Sequence, residues 1–181
     1  MPDPVDLFDR ATARAHGVMA AVTVDQLPLP TPCRHWTVQD LIDHMVGGPD
    51  YLLAALAGRL PEPRSGSGAA DYRKAVDEVL SGLGNPGAGE RTCVSPLGFE
   101  WTVRDAVAGT FMDTLIHTWD LAVATGQDRT LDPALVDSCV AMFLPEMPER
   151  GRAAGIVGPV VPVPDDASPQ ERLLAAMGRR P

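Results

Sequence analysis

Several marks of the large protein classes are missing from this chain. It has no CxxC pair, and its three cysteines, Cys33, Cys93 and Cys139, are odd in number and far apart. That excludes a cysteine-built structural zinc site and argues for reduced thiols in a cytoplasmic setting. Positive charge is scarce: 15 Lys and Arg stand against 24 Asp and Glu, a formal net charge of -9. Such an acidic excess argues against nucleic acid and against anionic membrane surfaces as partners. Long apolar runs are absent too, and stretches such as YLLAALAG fall far short of a membrane span. The opening MPDPVDLFDR is acidic, unlike a secretory leader. No Gly-x-Ser-x-Gly elbow occurs, and the glycines of 82–89 are not followed by Lys-Ser/Thr, which removes a hydrolase nucleophile elbow and a P-loop.

What is present is ordinary for a soluble domain with a real core: 45% hydrophobic and 22% charged residues over 181 positions. The apolar spacing is helical. Helices are expected over 3–25, over 37–57 with a weak point at Gly47, Gly48 and Pro49, and over 69–82. A small hairpin is expected around Ser95 to Gly98, followed by a long helix over 102–125 that stops at Gly126. A further helix is expected over 133–144. The stretch GIVGPVVPVPDDASPQ reads as extended, and a last short helix has Ser168 as N-cap, Pro169 at its first position and Glu171 at its third. The expected architecture is all-α, a four-helix bundle over 1–147 with a proline-rich tail and short helix over 148–181 packed on it.

One segment recurs. HWTVQDL at 35–41 returns as EWTVRDA at 100–106. Each copy is a helix start, with Thr37 or Thr102 as cap and Asp40 or Asp105 facing the free first-turn amides. Each tryptophan precedes its cap, where an apolar ring can staple onto the first turns. Two helix–link–helix halves are one natural route to a four-helix bundle.

The recurrence organises the chemistry. His44 stands eight positions after Trp36, and Asp113 and His117 stand twelve and sixteen after Trp101. Positions four apart on a helix differ by only about 40° and stack on one face. If corresponding stripes face inward, His44 on the second helix meets Asp113 and His117 on the fourth. Two imidazoles and a carboxylate inside a bundle suit a divalent first-row metal with open positions. The alternative is local: an acid and a histidine one turn apart also form a simple hydrogen bond, and a lone histidine on an apolar face is commonly a core residue. Gly48 and Gly109 lie beside the stripe and would leave room for a ligand, and His16 on the first helix is a further candidate to line the pocket. Asp120, three residues after His117, is placed to orient that imidazole. Cys33 has no evident neighbour to activate it and reads as structural, and Trp119 reads as packing. Asp43 points about 100° away from His44 and reads as solvated or paired with a base.

Taken together, TPCRHWTVQDLIDHMVG at 31–47, DTLIHTWDLAVATG at 113–126 and PVVPVPDDASPQERLLAAMGR at 159–179 resemble the actinobacterial family of the mycothiol-dependent maleylpyruvate isomerase metal-binding domain, in the DinB-like superfamily. The resemblance spans nearly the whole chain. It implies a four-helix bundle with a metal held by His44, Asp113 and His117. Two features depart from the characterised isomerase. The acid position there is glutamate, one methylene longer than Asp113. That isomerase also carries a further C-terminal domain, for which the residues after 147 are too few.

The implied activity is a thiol S-transfer or isomerisation, in which a low-molecular-weight thiol such as mycothiol attacks a small electrophile. Zinc is the default metal for this donor set, with nickel, iron or manganese as alternatives. A metal-dependent hydrolase would use a bound water instead. A non-catalytic module that binds a metal or small molecule would look the same in sequence. A homodimer is compatible with either, and no residue is assigned as general acid.

Overall fold

The computed structural model describes residues 2–63 and 65–181. Those residues form two compact units, Pro2–Arg129 and Thr130–Pro181. The first holds α1 (Pro4–Ala20), a 3₁₀ turn (Val24–Gln26), α2 (Val38–Ala57), α3 (Ala69–Leu83), a hairpin of β1 (Thr92–Val94) and β2 (Glu100–Thr102), and α4 (Val103–Thr125). The second holds α5 (Pro133–Phe143), α6 (Met147–Ala153) and α7 (Pro169–Ala176). The fold is all-α and DinB-like, with the hairpin as its one small sheet among the described residues. No helix among those residues is long and apolar enough to cross a membrane.

In the first unit α4 packs on α1 and α2, and α3 packs on the same two helices. Leu7, Phe8 and Val18 of α1, Leu41 and Leu52 of α2, Tyr72 of α3 and Phe111 and Leu121 of α4 are fully buried there. Burial of this kind supplies the main favourable term in folding, at about 25 cal/mol per Å² of apolar surface. The central helix is α4, which is buried over most of its surface. A polar side chain on such a helix must find partners within the protein. That requirement governs the site described below.

Both recurrent segments fold alike. Thr37 Oγ1 accepts from Asp40 N at 3.2 Å while the Asp40 carboxylate accepts from Thr37 N at 2.8 Å. Thr102 and Asp105 repeat this at 3.0 and 3.2 Å. Each carboxylate also takes the threonine hydroxyl, at 2.7 and 2.6 Å. In each half the residue that caps the helix also pairs antiparallel with the chain upstream, Thr37 with Pro30 and Thr102 with Thr92. The repeat is therefore a strand-pair-then-helix unit rather than a cap alone.

Two helical segments differ from expectation. α1 ends at Ala20 rather than near residue 25, because Thr23 starts a separate 3₁₀ turn in which its amide donates to the Gln26 side chain at 3.0 Å. That same side chain donates to the Thr125 carbonyl at 3.1 Å, tying the turn to the end of α4. Pro49 sits inside α2 without ending it, and that helix keeps its expected span. α6 forms over a segment that was not expected to be helical, started by Pro148 in its first turn. α7 has the expected Ser168, Pro169 and Glu171 cap.

Candidate metal centre

α2 brings His44, and α4 brings Asp113 and His117, to one point. The Asp113 carboxylate divides itself between the rings. Its Oδ2 lies 3.1 Å from His44 Nε2, and its Oδ1 lies 3.4 Å from His117 Nε2. The two imidazoles meet edge to face, with centroids 4.7 Å apart. All three ligand atoms lie within 4.8 Å of one another. A Cβ on Gly48 of α2 would stand 3.1 Å from Thr110 Cγ2 on α4, so the missing side chain lets the two helices come together one turn from His44 and from Asp113.

The set is asymmetric in exposure. The His44 and Asp113 side chains are 38% and 37% exposed, whereas His117 is 10% exposed. The inner histidine is fixed from behind: its Nδ1 lies 2.9 Å from Oδ2 of Asp120, whose side chain is wholly buried. A carboxylate accepts only, so Nδ1 carries a proton, and whenever the ring is neutral its Nε2 lone pair faces the site. This is the tautomer a metal requires. Two imidazoles, a carboxylate, a buried carboxylate behind one imidazole and an open side fit a divalent metal with free positions.

Charge balance agrees. Burial alone would push the Asp113 carboxyl up, but the charges of His117 and His44, and then their hydrogen bonds, hold it well below the usual carboxylate range. Burial disfavours a charged His117, yet the Asp113 charge and the hydrogen bonds of Asp113, Asp120 and Cys33 hold that ring's pKa well above its ordinary value. A second proton on His117, at Nε2 beside the Asp113 carboxylate, is thereby favoured.

The structure separates the other candidates. Asp120 faces His117, with Oδ2 2.9 Å from its Nδ1. Gly109 lies under Trp101, where a Cβ would fall 2.8 Å from the indole Cη2. His16 is half-buried on α1 and belongs to neither of the ligand groups that gather among the described residues. Asp43 is half-buried, and among the described residues it accepts from Ser67 N at 2.7 Å, Gly66 N at 3.1 Å and Gln39 Nε2 at 3.0 Å. It thereby fastens the loop before α3 to α2, next to His44.

Two residues acquire roles that the sequence reading did not give them. Trp36 lies against the site, its ring centroid 4.7 Å from that of His44 and 5.9 Å from that of His117. Cys33 lies behind it, with Sγ 3.3 Å from Asp120 Oδ2 and 3.7 Å from His117 Nδ1.

The chain matches the family described as "Mycothiol maleylpyruvate isomerase N-terminal domain" over residues 8–122, a span that includes His44, Asp113, His117 and Asp120. It belongs to that family. It is 33% identical over 179 residues to an uncharacterized protein of Mycobacterium tuberculosis, found in two strains, with 98% of each chain covered. It shares its fold with a crystal structure of a histidine-to-alanine mutant of the mycothiol-dependent maleylpyruvate isomerase. There the TM-score is 0.52 at 13% identity, over 76% of this chain and 68% of that one.

Gly109 tests the packing beside the site. Trp101 is pinned, because its Nε1 donates to Tyr51 Oη at 2.7 Å. Gly109→Ala gains about 1 kcal/mol of helix propensity but overpacks the indole at about 1–3 kcal/mol. A net destabilisation of about 1 kcal/mol is expected from these terms in urea unfolding, and equal or greater stability would show that Trp101 moves freely.

Proposed function

We propose that this member of the family is a metal- and thiol-dependent S-transferase or isomerase acting on a small electrophile. The observation that carries the proposal is the convergence of His44, Asp113 and His117 on one partly open point, with the inner imidazole held by buried Asp120. Membership in a family whose description names mycothiol and maleylpyruvate supports the choice of a thiol and a small electrophile.

His44, Asp113 and His117 would hold the divalent metal, with zinc the first choice for this donor set. When bound, such a metal lowers the pKa of a coordinated thiol, so that the nucleophilic thiolate is available near neutral pH. The protein's own share is arrangement. Asp120 keeps the proton of His117 on Nδ1, away from the site. The Trp36 indole covers both imidazoles on one side and keeps water from that face. The exposed edges of His44 and Asp113 leave the site accessible to small molecules.

The test is consumption of a small electrophile, maleylpyruvate or an α,β-unsaturated carbonyl compound, by metal-loaded protein with and without mycothiol. Thiol-dependent loss is expected in the wild type, and the background rate in Asp113→Ala. Metal uptake without any thiol-dependent loss across such a panel would reject catalysis and leave a metal-binding module.

A further inference from the structure

We propose that Cys33 is a positioning residue of the metal centre, donating its S–H to Asp120 and so fixing the carboxylate that fixes His117. The inference rests on the metal-binding reading of His44, Asp113 and His117 given above. The thiol donates to Asp120 Oδ2 at 3.3 Å, the same oxygen that takes His117 Nδ1–H at 2.9 Å. A donor that reaches the same oxygen from another segment adds to what holds that buried carboxylate in the plane His117 needs.

The segment that delivers Cys33 is built to hold it. The turn 31–36 is braced on Thr31: Cys33 N donates to Thr31 Oγ1 at 3.1 Å, and Thr31 N donates to the Trp36 carbonyl at 3.1 Å. Trp36 N donates back to the Cys33 carbonyl at 3.1 Å. Between them His35 takes a left-handed conformation, with φ 68°. That conformation is uncommon for a residue other than glycine, and it is held only where the surroundings determine it. The result is one turn that puts Cys33 behind His117 and Trp36 beside it. The thiol therefore acts through Asp120 and His117, without touching the metal position on Nε2.

Zinc affinity would be measured by competition with a chromophoric chelator for wild type, Cys33→Ala, Cys33→Ser and Asp120→Asn. Loss of a partner behind a metal-bound histidine weakens metal binding about 10- to 100-fold. Cys33→Ala is expected to fall about 10-fold, and Cys33→Ser, which keeps a donor, to recover most of it. In the Asp120→Asn background, Cys33→Ala should add little, because both act on one chain of bonds. The S–H stretching band of Cys33, isolated as a wild type minus Cys33→Ala infrared difference, should lie below that of a thiol in apolar surroundings. It should rise in Asp120→Asn. Unchanged affinity in Cys33→Ala, equal losses in the Ala and Ser variants, or a sulfur-to-cobalt charge-transfer band in the cobalt-loaded wild type would each overturn the proposal. The last would make Cys33 a ligand. A wild type that takes up no metal would reject the reading of the triad instead. The infrared band, recorded without metal, would then still decide whether Cys33 holds Asp120: a band unmoved by Asp120→Asn overturns the role.

Discussion

Protein reconstituted with zinc, nickel or iron is expected to hold about one metal per chain, and both His44→Ala and His117→Ala to hold none. The reason lies in where the donors come from. Asp113 and His117 are one turn apart on α4 and would by themselves offer only a two-donor clip. His44 arrives from α2, 69 positions earlier than Asp113, and completes a three-donor face. Three protein ligands with open positions are the common pattern of catalytic zinc, and a two-ligand remnant loses the ion to buffer and chelator. The two variants carry different information. Loss in His117→Ala alone would be compatible with a metal held by α4 and by Cys33 and Asp120 on the other edge of the ring. Loss in His44→Ala as well requires the two helices to share one ion. The His44 side chain is 38% exposed, so its truncation opens no core cavity. An unchanged circular dichroism spectrum would exclude unfolding as the cause. Elemental mass spectrometry decides the matter, and a full metal complement in either variant would reject the shared site.

What the sequence could reveal about this centre depended on how local each relation is. Helical arithmetic sufficed for Asp113, His117 and Asp120, because one helix fixes their mutual geometry. It reached His44 only because the W-T-V-x-D segment marks the same point in both halves, so that equal phases could be compared across helices. Nothing local signals Cys33. Its partners lie 87 and 84 positions away, and the turn that aims it depends on Thr31 and on a left-handed His35. Trp36 misled for a related reason. A ring before a cap has a ready role as a staple, and only the arrival of α4 gives it a second face to cover. Gly109 was assigned room for a ligand, whereas an indole from the hairpin fills the space above it. The boundary of α1 turned on one side-chain amide, Gln26, which satisfies a backbone group that a longer helix would have used.

The second large effect concerns protons and metal at the same atoms. In metal-stripped protein His117 keeps its proton to higher pH than a free imidazole does. The folded chain therefore binds a proton that the unfolded chain releases near its ordinary pKa of about 6.5. Stability from this group is complete below that value and is lost as pH rises through the raised folded pKa. Asp113 works at the other end. Its depressed pKa contributes stability above the unfolded carboxyl value of about 3.9, lost as pH falls through the folded value. Between about pH 6 and about pH 8, where Asp113 stays ionised throughout, only the histidine term changes. The melting temperature of stripped protein is then expected to fall across that interval. Metal reverses the trend, because it needs the Nε2 lone pair and competes with the proton that stabilises the empty site. The rise in melting temperature on adding zinc should accordingly grow from about pH 6 to about pH 8. At a free zinc concentration about 100 times the dissociation constant, the gain amounts to about 2.7 kcal/mol. In His117→Ala both the decline of the stripped protein and the gain from zinc should vanish. A gain from zinc that is flat with pH, or that persists in His117→Ala, would mean that the ion binds somewhere other than between α2 and α4.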